Sequence, residues 1–161
     1  MPRGMPVEED AAIAEAFRVF RSDVKRYERE VRRALWVPVA PHQFDALVSF
    51  HYNTGGIARA SLTRALNAGD VEDAADRFMN WTRPEVLIPR REAERDLFLH
   101  GAYPEGPIPV WRADAGGRVD FSRPARRLSA KEALALLRGP ARRTGWLAGL
   151  IDLLSGLMRR K

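Results

Sequence analysis

The stretch Pro41-His42-Gln43-Phe44-Asp45-Ala46-Leu47-Val48-Ser49-Phe50-His51-Tyr52-Asn53-Thr54-Gly55-Gly56 decides the fold of this chain. Proline suits the first turn of a helix, because its fixed φ is helical and its missing N–H has no partner there in any case. The residues that helical spacing turns inward are Phe44, Leu47, Val48 and either His51 or Tyr52. The glycine pair then stops the run. The sequence therefore predicts a helix that begins at Pro41 and ends near Gly55.

A longer helix is predicted upstream, between Val7 and Leu35. Its apolar residues alternate in steps of four and three, which places them on one stripe. They are Ile13, Phe17, Phe20, Val24, Tyr27, Val31 and Leu35. Pro38 and Pro41 end the run, since proline removes a donor and restricts the residue before it.

Three further helices are predicted downstream. Ser61–Asn67 reads as a short helix. Asp70 is placed to cap the next one, from Val71 to about Trp81. A last one starts at Pro89 and ends at Gly101.

The segment 102–128 differs in composition, with prolines and glycines interrupting short polar stretches. Residues 109–112 and 118–121 flank Ala115-Gly116-Gly117, which predicts a small hairpin. Ser129 and Glu132 then have the spacing of a capping box, so a helix is expected after them.

The tail carries apolar residues on one face of a predicted helix over 146–158, followed by Arg159-Arg160-Lys161. At about 13 residues it is too short for a bilayer, which needs roughly 20. Two interpretations stay open: an interfacial amphipathic helix on an anionic membrane through residues 145–161, or a terminal helix docked on its own domain. The fold class is mainly α, organised as a helical lobe (1–101), a hairpin arm (102–128) and a helical tail (129–161).

The 161-residue chain is basic, with a formal net charge of +6 and three lysines among its 27 basic residues. Such a surface attracts polyanions, whether nucleic acid, an anionic membrane or a cell wall, and genomic composition alone also explains arginine richness. No recognised motif beyond charge supports nucleic-acid binding. There is no cysteine, the three histidines are not clustered and residues 1–10 hold no apolar run, so we expect no metal, cofactor or secretory signal.

Several blocks of the sequence closely resemble phage-type lysozymes and endolysins. The blocks are Gln43 to Gly56, Leu66 to Asp70, Ala74 to Phe78, Trp81 and Arg90 to Phe98. Upstream, residues 5–35 are similar to the long interlobe helix of that family. The resemblance covers residues 5 to about 101.

The resemblance implies a lysozyme fold in which glycan binds between a small lobe and a helical lobe. It implies hydrolysis of the bond between N-acetylmuramic acid and N-acetylglucosamine in peptidoglycan. The family's catalytic motif lies in the small lobe: a glutamate, an aspartate nine residues later and a threonine six beyond that. A protonated glutamic acid donates to the glycosidic oxygen while a second carboxylate stabilises the developing cation or steers water. The motif is expected upstream of Met1, so the catalytic residues of this chain stay unknown and its activity by itself is in doubt.

Glu105 and Asp114 offer a rival for the catalytic pair, since they too lie nine residues apart and Glu105 precedes a glycine. However, Asp120 stands where the motif has threonine, no amphipathic helix leads into Glu105, and the order would need a permuted chain. A chance match is the better interpretation.

The resemblance also suggests substrate-binding residues. His51, Tyr52 and Asn53 sit where the family lines its cleft, and Asn53 can donate to and accept from N-acetyl and hydroxyl groups. Arg90 and Arg91 could contact peptide carboxylates. For each the alternative is structural: a core tyrosine, a capping asparagine, a satisfied histidine, or a solvated first turn that Glu92 and Glu94 organise.

Three functions compete. The first is a lysozyme-family endolysin that acts as a monomer on bacterial peptidoglycan, at the cell wall if it is exported. The second is a non-catalytic wall-binding or membrane-active protein. The third, a basic nucleic-acid binder, has only charge in its favour.

Overall fold

The long first helix, α1, spans Glu9–Ala34 and confirms the predicted upstream helix. Acidic residues occupy its first turn and Arg32 and Arg33 its last, which suits the helix dipole at both ends. The computed structural model describes residues 8–138, and the predicted tail helix over 146–158 lies outside this range. Of the described residues, 15–107 form one compact unit, and 8–14 with 108–138 form a second.

Local signals set the bounds of the helices in the first unit. α2 spans Pro41–Thr54, and Gly55 follows it in the left-handed region at φ 61°. α3 spans Ser61–Asn67 and α4 spans Val71–Asp76. The Asp70 carboxylate accepts the Asp73 amide at 2.9 Å, as the capping prediction required.

The predicted single helix from Val71 to Trp81 is wrong in its second half. After α4 the chain tightens into a 3-10 helix over Arg77–Trp81, with Trp81 packed edge-on against Phe50 at 5.3 Å between ring centroids. Short 3-10 turns of this kind are common at the C-terminal ends of α-helices. A second 3-10 helix, Glu85–Leu87, leads into α5, Ile88–His100, which ends at Gly101 as predicted.

The core of this unit lies between α1, α2, α3, α4 and α5. Its buried residues are Val31, Ala46, Leu47, Phe50, Ile57, Ala60, Leu62, Ala65, Leu66, Ala74, Ala75, Phe78, Leu97 and Phe98. The predicted inward stripe of α1 holds at Val31, whereas Phe20 is exposed and contacts the Tyr52 ring instead.

The second unit combines the start of α1 with four short strands and a helix. β1 (Ile108–Val110) pairs with β4 (Arg126–Leu128), and β2 (Arg112–Ala113) pairs with β3 (Val119–Asp120).

The predicted hairpin is confirmed at its inner residue pairs. Its outer part is wrong, because Pro109 and Val110 pair with β4 rather than with β3. Each strand of a two-stranded ribbon is an edge, which tolerates the missing proline donor.

The helix α6 (Ala130–Arg138) completes the second unit. Its predicted capping box is confirmed: the Ser129 amide donates to the Glu132 carboxylate at 2.8 Å, and the Glu132 amide donates back to Ser129 Oγ at 3.3 Å. Hydrogen bonds to its carboxylate from the Ser129 hydroxyl, 2.7 Å long, and from the Ser129 amide hold the pKa of Glu132 below its ordinary value. No helix within residues 8–138 is long and apolar enough to cross a bilayer.

Candidate functional site

The end of α2 presents two polar side chains at the surface of the first unit. Tyr52 and Asn53 are exposed, whereas His51 between them and the core is 4% exposed. Gly55, in the left-handed region, then turns the chain away. This end of α2 is where the sequence predicted glycan contacts.

Arg91 supports Asn53 from below. Its side chain is fully buried, and its Nη2 donates to Asn53 Oδ1 at 2.6 Å. Its Nη1 lies 3.0 Å from Glu94 Oε2, and its guanidinium lies 5.2 Å from the centroid of the Phe50 ring. Within residues 8–138 its Nε has no acceptor, and the Nη1 contact is an ion pair without good hydrogen-bond alignment. Burial lowers the pKa of Arg91, and the charge of Glu94 opposes that shift.

Glu94 joins α5 to α2. It is 4% exposed, and its Oε1 accepts from Ser49 Oγ at 2.7 Å and from Arg90 Nε at 3.0 Å. Arg90 also reaches the Ser49 carbonyl with Nη2, at 3.3 Å. A buried carboxylate is tolerated when cations and donors surround it. The cluster of Ser49, Asn53, Arg90, Arg91 and Glu94 is therefore one connected network between two helices.

This network fixes the orientation of the Asn53 amide. An arginine can only donate, so the atom that faces Arg91 must be the amide oxygen. The Asn53 NH₂ group has no partner among the described residues and belongs to an exposed side chain. Two N–H donors are thus held in a set direction at the surface, which suits a carbonyl or hydroxyl oxygen of a ligand.

His51 ties α2 to α1. Its Nε2 lies 2.6 Å from Glu30 Oε2, and the Ile57 amide donates to its Nδ1 at 3.4 Å. Because Nδ1 accepts, the proton of a neutral His51 sits on Nε2 and is donated to the carboxylate. The Tyr27 ring packs edge-on against the imidazole, with 5.2 Å between centroids.

Aromatic side chains continue this surface along α1. Tyr52 contacts Tyr27 at 4.9 Å and Phe20 at 5.7 Å between ring centroids, both edge-on. Arg26 lies over the Tyr27 ring at 4.7 Å and donates to its hydroxyl at 2.8 Å. Exposed aromatic faces beside fixed amide donors are a combination that binds sugar rings.

The five predicted substrate-binding residues therefore meet at the α1–α2–α5 contact. Tyr52, Asn53 and Arg90 are exposed, while His51 and Arg91 are buried and already hold Glu30 and Asn53. Their role toward substrate stays a prediction, and burial favours support over direct contact for the last two.

Sequence reasoning gave Ser49 no role, and it named Glu94 only as an organiser of arginines. Glu94 lies three and four residues after Arg91 and Arg90, the spacing at which helical ion pairs form. This spacing is the signal that could have identified it as the centre of the network. Nothing in the local sequence marks Ser49.

Of the rival catalytic pair, Glu105 and Asp114, Asp114 has a structural role in the hairpin turn. Its Oδ1 accepts the amides of Gly116 and Arg118, both at 2.9 Å, and so shapes the hairpin turn. Glu105 is exposed. Among residues 8–138, no three histidine or acidic side chains converge as a metal site would require.

The residues of this site lie within a match to a known protein family. A sequence model described as "Phage lysozyme" matches residues 3–94, more than half of the chain. The chain belongs to the phage lysozyme family. The match covers the whole site described above, from Phe20 to Glu94.

Several proteins similar to this chain are phage endolysins. The endolysin of Bacillus phage B103 is 41% identical over 93 residues, which are 53% of this chain and 35% of that protein. The endolysin of Salmonella phage P22 is 37% identical over 87 residues, 50% of this chain and 60% of that protein. The chain thus spans about a third to three fifths of these relatives.

A solved structure agrees. The endolysin from Escherichia coli O157:H7 phage FAHEc1 has a TM-score of 0.54 at 27% identity, covering 63% of this chain and 69% of that one. The mainly helical, lysozyme-like fold expected from the sequence is confirmed.

Proposed function

We propose that the whole protein hydrolyses peptidoglycan between N-acetylmuramic acid and N-acetylglucosamine, and that the unit 15–107 supplies the glycan-facing part of its helical lobe. Tyr52, Asn53 and Arg90 contact the glycan strand. His51 and Arg91 position them from beneath.

The observation that carries this proposal is the fixed amide of Asn53. The buried Arg91, whose charge is paired with that of Glu94, donates a hydrogen bond to the exposed Asn53 at 2.6 Å. The preset direction of the asparagine donors lowers the ordering cost when a carbonyl such as an N-acetyl group binds. Beside it, the exposed Tyr52 ring offers a flat face to a pyranose.

Glycoside hydrolysis needs a protonated acid and a second carboxylate on either side of the bond. The likeness to phage lysozymes implies that both come from sequence N-terminal to α1. We therefore propose that this lobe binds and orients the strand, while a carboxylic acid N-terminal to α1 donates the proton.

Three finer points belong to the same proposal. The first is the division of the chain into a lobe (1–101), an arm (102–128) and a tail (129–161). The second is a monomeric state, and the third is contact of residues 145–161 with anionic membranes. Light scattering gives the mass in solution. Deleting 145–161 tests the tail, because unchanged leakage of anionic liposomes removes the membrane contact.

Binding is tested by sedimenting the 161-residue chain with purified peptidoglycan. Asn53→Asp keeps an oxygen acceptor for Arg91 but replaces the NH₂ donors, so folding survives and binding falls about tenfold. Asn80→Asp is the matched control, because Asn80 is an exposed asparagine of the same unit. Equal retention of both variants contradicts the role of Asn53.

Hydrolysis is tested separately by reducing ends released from peptidoglycan. We expect the whole protein to release them. Clearing of a peptidoglycan gel by the 161-residue chain, abolished by Glu105→Gln, would instead identify Glu105 as the acid.

A further inference from the structure

A tryptophan projects from the link between α1 and α2. The Trp36 side chain is 83% exposed, yet its backbone is fixed. Its amide donates to Asn67 Oδ1 at 2.9 Å, and Asn67 Nδ2 donates to the Ala34 carbonyl at 2.9 Å. Both polar atoms of the Asn67 amide therefore hold the link against the end of α3. The indole is presented from a rigid backbone rather than from a loose loop.

Trp36 borders a groove of about 590 Å³ within the unit 15–107. Small side chains line part of it, namely Ala34, Ala58 and Ala68. An aromatic face beside small residues leaves room for a flat ring against the indole. The volume lies in the range of small-ligand sites, roughly 300–1,000 Å³.

Two arginines also line this groove. Arg33 and Arg64 are exposed, and neither guanidinium forms a hydrogen bond or ion pair with another residue in the part of the chain that the structure describes. By contrast, Arg77 on α4's end and Arg90 on α5 each pair with a carboxylate, at 2.7 Å and 3.0 Å. Two guanidinium groups without a carboxylate partner beside one groove attract an anion, and their planar donors match the oxygens of a carboxylate or a phosphate.

We infer that the Trp36 groove is a second wall-binding site, which takes an amino-sugar ring that carries peptide carboxylates. The ring stacks on the indole, and the carboxylates of the attached peptide pair with Arg33 and Arg64. This inference rests on the proposed function, because peptidoglycan is the polymer that joins such rings to such carboxylates. The groove shares no lining residue with the Asn53 site.

The shape of the site favours this ligand over other polyanions. A lipid surface is bound by apolar side chains that insert together, whereas here an indole borders a concave groove. Single-stranded nucleic acid is bound along an extended track of stacking platforms. One indole and two guanidinium groups fit a single charged unit.

The experiment follows the Trp36 indole N–H signal of the intact 161-residue chain by NMR, assigned by its loss in Trp36→Phe. The probes are a disaccharide–tetrapeptide with free carboxylates, the same compound with its carboxylates amidated, and neutral chitotetraose. Arms with a dT oligonucleotide and with anionic vesicles run in parallel.

We expect the disaccharide–tetrapeptide to shift the Trp36 signal in a saturable way. Amidation weakens binding about tenfold, as does Arg33→Gln combined with Arg64→Gln, because both remove the charge-assisted pairing. Trp36→Ala, whose affinity is measured by titration calorimetry because it lacks the indole signal, also binds about tenfold more weakly through the lost stacking. Matched controls are Arg83→Gln and Val86→Ala, both at exposed positions of the same unit, which leave affinity unchanged.

Other outcomes overturn the inference. Equal affinity for the free and amidated compounds removes carboxylate recognition, and a response confined to the oligonucleotide or the vesicles assigns the groove to another partner. If wall fragments leave the Trp36 signal unmoved while the chain still sediments with peptidoglycan in an Asn53-dependent way, the groove is not a site and the proposed function stands. If wall material does not bind at all, both fail.

Discussion

Replacing Arg91 by methionine tests whether the buried network holds α2 and α5 together. Methionine retains the length and apolar character of the arginine stem but removes a fully buried charge. Glu94, which is 4% exposed, then loses the cation 3.0 Å from its Oε2. Removing one partner of a buried ion pair costs about 3–5 kcal/mol.

Two features of the structure reduce that cost. Glu94 keeps Ser49 Oγ at 2.7 Å and Arg90 Nε at 3.0 Å, so its charge is not left uncompensated. The substitution also removes the buried Arg91 Nε, which lacks an acceptor and costs about 1–3 kcal/mol as it stands. We therefore expect Arg91→Met to lower the free energy of unfolding by about 2 kcal/mol.

The assay is urea unfolding of the 161-residue chain, followed by far-ultraviolet circular dichroism. Glu94→Met and the double variant with Arg91→Met complete a thermodynamic cycle. The coupling energy of the pair is expected to be at least about 1 kcal/mol. Arg95→Met is the matched control, because Arg95 lies on the same helix with 35% of its side chain exposed and only a 4.0 Å contact to Asp96.

Two results would refute this reasoning. One is a loss for Arg91→Met no larger than for Arg95→Met. The other is a double variant whose loss equals the sum of the two single losses, because independent sites add.

The remaining predictions concern single contacts. Gly56→Ala should destabilise the chain by about 1–3 kcal/mol, because a Cβ there would lie 2.6 Å from Trp81 Cη2. Thermal melts measure this loss of stability. The loss should be smaller when Trp81 is also replaced by phenylalanine. Asp70→Ala should lower the free energy of unfolding by about 1 kcal/mol, because it removes the carboxylate that caps α4. Asp70→Asn should lower it by less. Equal losses for the two variants in urea titrations would argue against capping. The hydrogen bond from Tyr103 to Asp45, 2.6 Å long, raises the pKa of Tyr103. The stabilising contribution of this hydrogen bond is therefore present below the ordinary tyrosine pKa and is lost as pH rises through the raised pKa. Ultraviolet titration of phenolate should show one tyrosine ionising at lower pH in Asp45→Asn than in the unchanged chain. An unchanged titration would contradict the assigned bond.

Much of the helical architecture follows from short-range signals. Pro41 begins α2, and Gly55 and Gly101 end α2 and α5 at φ 61° and 67°. Such signals are readable because capping, proline geometry and left-handed glycine act within three or four residues of the chain. For the same reason the inner part of the β2–β3 hairpin was predictable.

The sequence predicted which residues form the site, but not which of them are exposed or how their side chains are oriented. The sequence placed His51, Tyr52 and Asn53 at one helix end, but exposure could equally have fallen on any of them. Burial of His51 depends on Glu30, 21 residues upstream, and the direction of Asn53 depends on Arg91, 38 residues downstream.

The sequence by itself determined where most helices begin and end, the end of α4 excepted, which family the chain resembles and which side chains lie at the end of α2. Only the tertiary structure decided that Arg91 is a buried support, that Trp36 borders a groove and that β1 pairs with β4 rather than with its neighbour in sequence. The physical reason is distance along the chain. Local dihedral preferences are set by a few neighbouring residues, whereas burial and ion pairing depend on surfaces that meet only after the helices have packed.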